Sequence, residues 1–280
     1  MPFQDIFVMQ ILGMLIARKF SGIASFTIGN NQDDVAGVWF EQGMIVSVRY
    51  STFSDTQALK MMAWKHHGEL DLKPVPLAEN PLANYSILVE ELIAEAPTDV
   101  INTCPMLMKS FVTRMKLKPL KNSLLSVTGL TVFGQMSSGS QLIDISRANL
   151  SEEAFWTGFW YLTCHGLVIT SYAKSIGVLV QQLQDELIKE MKNLMGAHIA
   201  KVYTEQLWQN IQRQWPDWAK GTQPDPIYGT SPYQVWTQMM IETTEQVGTP
   251  TLQKRCFKSA LSTLYPEGTS VIDPFLSQIF

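Results

Sequence analysis

The hydrophobic pattern of the first fifty residues changes from a helical spacing to a strict alternation. Apolar side chains recur at Phe7, Ile11 and Leu15, and this spacing predicts an amphipathic helix over residues 4–18. Over residues 22–50, the segments GIASFTI, VAGVWF and MIVSVRY alternate apolar with small or polar residues, and turn-forming Asn, Asp and Gly separate them. The pattern therefore predicts an antiparallel meander of three strands after the helix.

Helical spacing returns after the meander, on either side of one short strand. We expect a helix over residues 54–66 that ends at His66-His67, where imidazole suits the negative end of the helix dipole. The segment GELDLKP then predicts a strand, and a proline-rich linker leads to a helix over residues 84–95. The first domain, residues 1–97, is thus predicted to have the order α-β-β-β-α-β with one trailing helix.

Helical patterns dominate the chain after Pro97 and predict a second, mostly α-helical domain over residues 98–280. The segment at about 140–172 has the order helix, turn, helix, strand, which is typical of a winged-helix-like element, and Ser151 suits the N-cap of its second helix. The other predicted helices cover residues 98–117, 176–195, 197–215, 233–246 and 250–264. The predicted fold class is therefore α+β.

Composition excludes several classes of protein. Only 16% of the residues are charged and 46% are hydrophobic, so the chain does not have the signature of a disordered protein. The net charge of −4 provides no overall basic field for nucleic acid or anionic lipid. No apolar run reaches the roughly 20 residues that span a bilayer. Eight Trp and fourteen Met favour contact with a protein partner, and the sequence leaves a homo-oligomer open.

The cysteines and the N-terminus bear on localisation. Cys104, Cys164 and Cys256 are odd in number, far apart and without a CxxC pair, so we expect reduced thiols rather than disulfides. The apolar N-terminal segment contains Asp5 in place of a basic region and lacks a small-residue cleavage site, unlike a signal peptide. The expected localisation is cytoplasmic.

Several motifs of the first domain follow one another in a distinctive order. They are Lys19-Phe20-Ser21-Gly22 at the first strand, Val38-Trp39-Phe40 with the turn Glu41-Gln42-Gly43, Ala58-Leu59, Trp64, Gly68 and the alternating Glu69-Leu70-Asp71-Leu72. In this order they resemble the PATAN domain family of bacterial signalling proteins, over about residues 1–95. The stretch around residues 143–170 is similar to the winged-helix-like segment that often follows this domain.

The resemblance implies a non-catalytic regulatory adaptor. Members of the family are implicated in the control of type IV pilus assembly and motility, which makes the extension motor ATPase the expected partner. Relatives are often fused to response-regulator receiver domains, but no receiver pattern is present in this sequence. A response regulator is therefore a second expected partner, and a scaffold in a two-component signalling pathway is an alternative function.

The sequence contains no recognisable catalytic constellation. It lacks HExxH, paired CxxC and GxSxG motifs, and Gly134 to Gly139 has the glycine spacing of a phosphate loop without the lysine that follows it. The neighbours Cys164 and His165 cannot easily adopt the geometry of a nucleophile and its base. We therefore expect no catalytic residues, no cofactor and no metal.

A winged-helix transcriptional regulator is the alternative in a different class. Its recognition helix would span residues 152–165, but this segment contains no Lys or Arg and begins with two acids, which repel the DNA backbone. No nucleic-acid partner is therefore expected. The aromatic residues of this helix, at positions 155, 156, 159 and 160, share one broad stripe and are predicted to face the core.

Two groups of residues are candidates for protein contact. One is a basic run without intervening acids, which suits either a solvated surface or an acidic partner. It comprises Lys109, Arg114, Lys116, Lys118 and Lys121. The other is an aromatic cluster around a proline-rich loop, for which interior and interface positions both remain open. It comprises Trp208, Trp215, Trp218, Tyr228, Tyr233 and Trp236.

Overall fold

The computed structural model describes residues 1–28, 34–74, 91–97, 111–114, 127–136, 142, 151–171, 173–216, 218 and 224–265. Their architecture confirms the α+β class, with an antiparallel sheet near the N-terminus and a mostly helical remainder. By its internal contacts the chain divides into two compact units. Unit 1 comprises Met1–Tyr172 and Pro226–Gly229, and unit 2 comprises Ala173–Asp225 and Thr230–Phe280.

A six-stranded antiparallel sheet forms the first layer of unit 1. Its strands are β1 (Pro2–Gln4), β2 (Gly22–Ile28), β3 (Val35–Glu41), β4 (Met44–Tyr50), β5 (Phe53–Ser54) and β6 (His67–Lys73). They lie in the order β1-β6-β2-β3-β4-β5. The predicted meander is confirmed as β2, β3 and β4, and the predicted GELDLKP strand is confirmed as β6.

The N-terminal residues differ from the prediction. A helix was expected from residue 4, but Pro2–Gln4 pairs with β6, and the first helix, α1, spans Val8–Ala17. The Met1 ammonium group donates a hydrogen bond to the carbonyl oxygen of Leu70 at 2.8 Å. Phe3 fits the four-residue spacing of the helix by coincidence, because its ring is buried from a strand instead.

Helix α1 is surrounded by protein, so it lacks the polar, exposed face that the predicted amphipathic helix would have. Every residue from Val8 to Leu15 is buried, including the polar Gln10. The Gln10 side chain accepts a hydrogen bond from the backbone N–H of Phe7 at 2.9 Å and donates one to the Thr170 hydroxyl at 2.6 Å. A buried amide satisfied in this way avoids the cost of an unpaired polar group.

Helix α2 (Asp55–Met62) is shorter than the predicted helix over residues 54–66. Consequently His66 and His67 do not cap a helix: His66 lies in the connection and His67 opens β6, which corrects that prediction. Helices α1 and α2 cover one face of the sheet, where Phe26, Phe40 and other alternate strand residues are buried. The opposite face carries the remaining alternate residues.

A short segment from the C-terminal half completes this part of unit 1. Residues Pro226–Tyr228 form a 3₁₀ turn, and Gly229 makes a parallel bridge with Gln4 of β1. Ile227 is fully buried in the same core as α1. Gly229 has a φ of +59°, and a Cβ atom there would collide with the carbonyl oxygen of Gln4, so the position requires glycine.

In the described part of unit 1 that follows β6, residues 91–94 are helical, within the helix predicted over residues 84–95. The other elements there are β7 (Phe111–Arg114), α3 (Val127–Gln135), α4 (Glu152–Cys164) and β8 (Val168–Ser171). The helix predicted over residues 98–117 is wrong at 111–114, because these residues pair with β8. The rest of that prediction lies outside the described residues. The helix–strand order from α4 to β8 is confirmed, and Ser151 caps α4 by accepting a hydrogen bond from the Ala154 N–H at 3.3 Å.

Unit 1 extends beyond the boundary predicted at residue 97 because α1 packs against α4. A Cβ atom on Gly13 of α1 would collide with the carbonyl oxygen of Thr163 in α4, so the two backbones approach closely. The Phe7 ring also lies 5.5 Å from that of Trp160. A helix buried on all sides needs a second layer of structure over it, and α4 provides that layer.

The described residues of unit 2 form four helices that confirm the predicted ones: α5 (Ala173–Met195), α6 (Ala197–Gln214), α7 (Ser231–Val247) and α8 (Pro250–Leu264). Helix α5 contacts the other three. Its apolar residues at three- and four-residue spacing are buried, namely Ile176, Val180, Leu183, Leu187 and Met191. Among the described residues, no helix has both the length and the apolar character needed to cross a membrane.

Candidate functional site

Five of the six candidate aromatics belong to unit 2, and four of them, Trp208, Trp218, Tyr233 and Trp236, are in ring contact with one another. Trp215, Trp218, Tyr233 and Trp236 are buried, and Trp208 is half-buried. The ring of Trp218 lies 5.2 Å from that of Trp236 and 6.2 Å from that of Trp208. The structure therefore assigns these rings to the core of unit 2, where they provide little accessible surface for a partner.

The indole N–H of Trp236 in this cluster has its hydrogen-bond acceptor in the same unit. The indole N–H of Trp236 donates a hydrogen bond to the side-chain oxygen of Gln184 on α5 at 2.8 Å, and both residues are buried. Burial also raises the pKa of the Tyr233 hydroxyl. Tyr228, the sixth candidate, belongs to unit 1, where it is half-buried against the core that contains Ile227.

The basic run contributes no described side chain. Lys109, Lys116, Lys118 and Lys121 lie outside the described residues. Arg114 is described only through its backbone, which pairs with Val168 at the end of β7.

The aromatic stripe of α4 faces the core, as predicted. Trp160 lies 5.0 Å from Trp64 between ring centroids, and its indole N–H donates to the carbonyl oxygen of Pro97 at 3.1 Å. Nine of the thirteen residues of α4 are buried, and Glu152 and Glu153 occupy its first turn. A helix placed in this way does not present the exposed, cationic face that reads a DNA groove.

The described residues near Cys164 do not form an activated nucleophile. Cys164 is fully buried, and burial raises the pKa of its thiol, which favours the protonated form. Burial lowers the pKa of the neighbouring His165, whose ring lies 4.5 Å from that of Tyr161. Among the described residues, no three His, Cys, Asp or Glu side chains come together as metal ligands.

The open face of the sheet, opposite α1 and α2, carries the outward residues of the four long strands. On β2 and β3 the inward positions are fully buried, whereas the outward positions between them are half-buried or exposed. Val35 is 49% exposed and Met44 is 50% exposed, both of them large apolar residues on this face. Trp39 is the largest outward residue.

Trp39, Gly37 and Arg49 form a compact group at the centre of the open face. The indole of Trp39 lies across Gly37, because a Cβ atom on that glycine would be 2.8 Å from the ring. The Arg49 guanidinium carbon lies 5.7 Å from the Trp39 ring centroid, within the range of a cation–π contact. The glycine thus leaves space for the ring, and the ring supports the arginine.

Neither Trp39 nor Arg49 was among the candidates identified from the sequence. The signal was present in the alternation of β3, where Ala36, Val38 and Phe40 are the inward residues. Trp39 falls between them and therefore points to the opposite face. An outward Trp on a strand whose other face is fully buried is the feature that could have identified this site.

Comparisons of the chain with protein-family models, with curated proteins and with solved structures found no significant match.

Proposed function

We propose that this protein is a non-catalytic regulatory adaptor that acts by binding other proteins through the open face of its sheet. The observation that carries the proposal is the outward Trp39, which lies over Gly37 with Arg49 against its ring. Trp and Arg are the residue types most enriched among those that dominate binding energy at protein interfaces. Large apolar residues grouped on an exposed surface mark interaction sites in soluble domains.

The resemblance to the PATAN family supports the choice of partner. On this basis the adaptor controls type IV pilus assembly or motility through contact with the extension motor ATPase. The residues Val38-Trp39-Phe40, which carry part of the resemblance, belong to β3, the strand that bears the contact residue. A response regulator is the second partner that the resemblance supports.

Binding of the purified motor ATPase to the full chain tests the proposal directly. We expect Trp39→Ala to weaken binding by a factor of about 30 or more, the size expected of a dominant interface residue. Val178→Ala is the control, because Val178 is an apolar residue that is 53% exposed but belongs to α5 of unit 2 and not to the sheet. Wild-type protein that binds neither the motor nor a response regulator would contradict the proposal.

A further inference from the structure

The open face of the sheet has a self-complementary arrangement of residues. Two transverse rows cross the long strands in the order β6, β2, β3, β4. The first row consists of Asp71, Ser25, Gly37 and Arg49, and the second consists of Lys73, Ile23, Trp39 and Ser47. The first row therefore has an acid at one end, a base at the other and two small residues between them.

A twofold axis parallel to the strands, midway between β2 and β3, exchanges the two ends of each row. When a second copy is laid face to face about this axis, its Asp71 lies opposite Arg49. The same rotation brings Ile23 opposite Trp39. In the first row each charge then meets its opposite, and in the second row Ile23 meets the apolar Trp39 while Lys73 lies opposite Ser47. The pairs at Asp71 and Ile23 give the complementarity that an interface between identical surfaces requires.

We propose that the open face binds a second copy of this chain, so that two six-stranded sheets stack as a sandwich. The inference rests on the proposed function only in that this face binds protein, and the second copy would compete with the motor ATPase for it. Stacked sheets lie about 10 Å apart, a distance that the side chains of Arg49 and Asp71 can bridge together. Among the described residues Arg49 forms no ion pair, and the ion pair of Asp71 is with Lys73, at 3.4 Å and exposed to solvent.

The area of the open face determines the affinity that we expect for the dimer. Four strands of seven residues each cover a flat area of roughly 400 Å² per copy, given strand spacings of about 4.8 Å and rises of about 3.3 Å per residue. This area is small beside the typical contribution of about 800 Å² per partner. We therefore expect a reversible dimer with a dissociation constant in the micromolar range.

Sedimentation equilibrium of the full chain, from low to high micromolar concentration, measures this association. The weight-average mass is expected to rise from 31.6 kDa towards twice that value. Arg49→Asp and Asp71→Arg should each weaken association by about tenfold, because each places like charges opposite one another. The double variant Arg49→Asp/Asp71→Arg should restore association, because the charges are exchanged on both copies.

The controls separate this proposal from folding defects and from the adaptor function. Glu245→Arg makes the same charge change as Asp71→Arg at an exposed position of α7, and should leave the mass unchanged. Circular dichroism confirms that each variant is folded. A monomer at all concentrations, or single-variant losses that the double variant does not restore, would overturn the proposal.

The outcomes also distinguish the two proposals from each other. A chain that binds the motor ATPase while remaining monomeric retains the adaptor function and overturns the inference. A chain that forms the dimer, with rescue by the charge exchange, supports the inference even if it binds neither partner, and in that case the adaptor proposal fails.

Discussion

Gly13 on α1 lies against the backbone of Thr163 on α4, so closely that a Cβ atom at position 13 would collide with the carbonyl oxygen of Thr163. The contact joins the helix that covers the sheet to the helix that follows more than a hundred residues later. It explains why the first 97 residues and the segment after residue 127 share one compact unit.

Gly13→Ala is therefore expected to destabilise the protein. The added methyl group must push two packed backbones apart, at a cost of about 1–3 kcal/mol, which outweighs the helix-propensity gain of up to about 1 kcal/mol. Urea unfolding measures the change. Gly134→Ala on α3 is the matched control, because no atom outside its chain neighbours and its own helix backbone lies within 4 Å of a Cβ there, and it should be neutral or slightly stabilising. Equal stability of Gly13→Ala and wild type would show that the contact can relax.

Ile227→Ala tests the contribution of the returning segment to unit 1. Ile227 is fully buried in the core beneath the sheet, so truncation should leave a cavity and reduce the free energy of unfolding by about 2–5 kcal/mol. Denaturant unfolding followed by circular dichroism gives the value. Val178→Ala, an equally apolar truncation at an exposed site, should change it by less than about 0.5 kcal/mol. A similar small effect at Ile227 would mean that the 3₁₀ turn is not anchored in the core.

Gln184→Ala should expose the dependence of the aromatic core on one buried hydrogen bond. The substitution leaves the Trp236 indole N–H without its acceptor, and an unpaired buried donor costs about 1–3 kcal/mol. Thermal unfolding should show a lower midpoint than wild type. Gln238→Ala on α7 removes an exposed hydrogen bond to Glu242 and should change the midpoint little. If the two variants had the same unfolding midpoint, the buried hydrogen bond to Trp236 would stabilise the protein no more than the exposed one does.

Stability is expected to fall as the pH is lowered through the histidine range. Burial lowers the pKa of His66 and of His165, so the folded protein binds fewer protons than the unfolded chain, whose histidines titrate near about 6.5. The stability that these two histidines contribute is fully present at pH values above their pKa in the unfolded chain. It is lost as the pH falls through their lower pKa in the folded protein. Urea midpoints at neutral and mildly acidic pH give the difference.

His165→Gln should reduce this pH dependence, because it removes one of the two groups that resist protonation. His198→Gln is the control, since His198 is exposed at the start of α6. If His165→Gln lost as much stability on acidification as the wild type does, the pH dependence would arise from other groups.

The local pattern of the sequence was sufficient to predict the elements in which hydrophobic positions recur over several helical turns or along a whole strand. β2 to β4 and α5 to α8 lie close to their predicted positions, because periodicity along a segment reports which face of it is buried. It was insufficient for short elements. β1 has three residues and β7 has four, and each is a strand because of the partner it meets, β6 or β8.

The candidate site was predicted poorly for a related reason. Aromatic residues suit a core and an interface equally well, so their presence near Trp236 did not reveal which role they have. The ring contacts and the hydrogen bond to Gln184 assign that cluster to the core of unit 2. Trp39 could have been identified from the phase of its strand, but the support from Gly37 and Arg49 depends on cross-strand register.

By itself the sequence determined the α+β class, the meander and the helices of unit 2, since these follow from contacts between residues close along the chain. The tertiary structure alone decided that α1 is buried on every side, that Ile227 returns to the first core and which face of the sheet stays open. These features depend on contacts between residues far apart along the chain, and no local pattern of hydrophobic positions records which distant segment will cover which face.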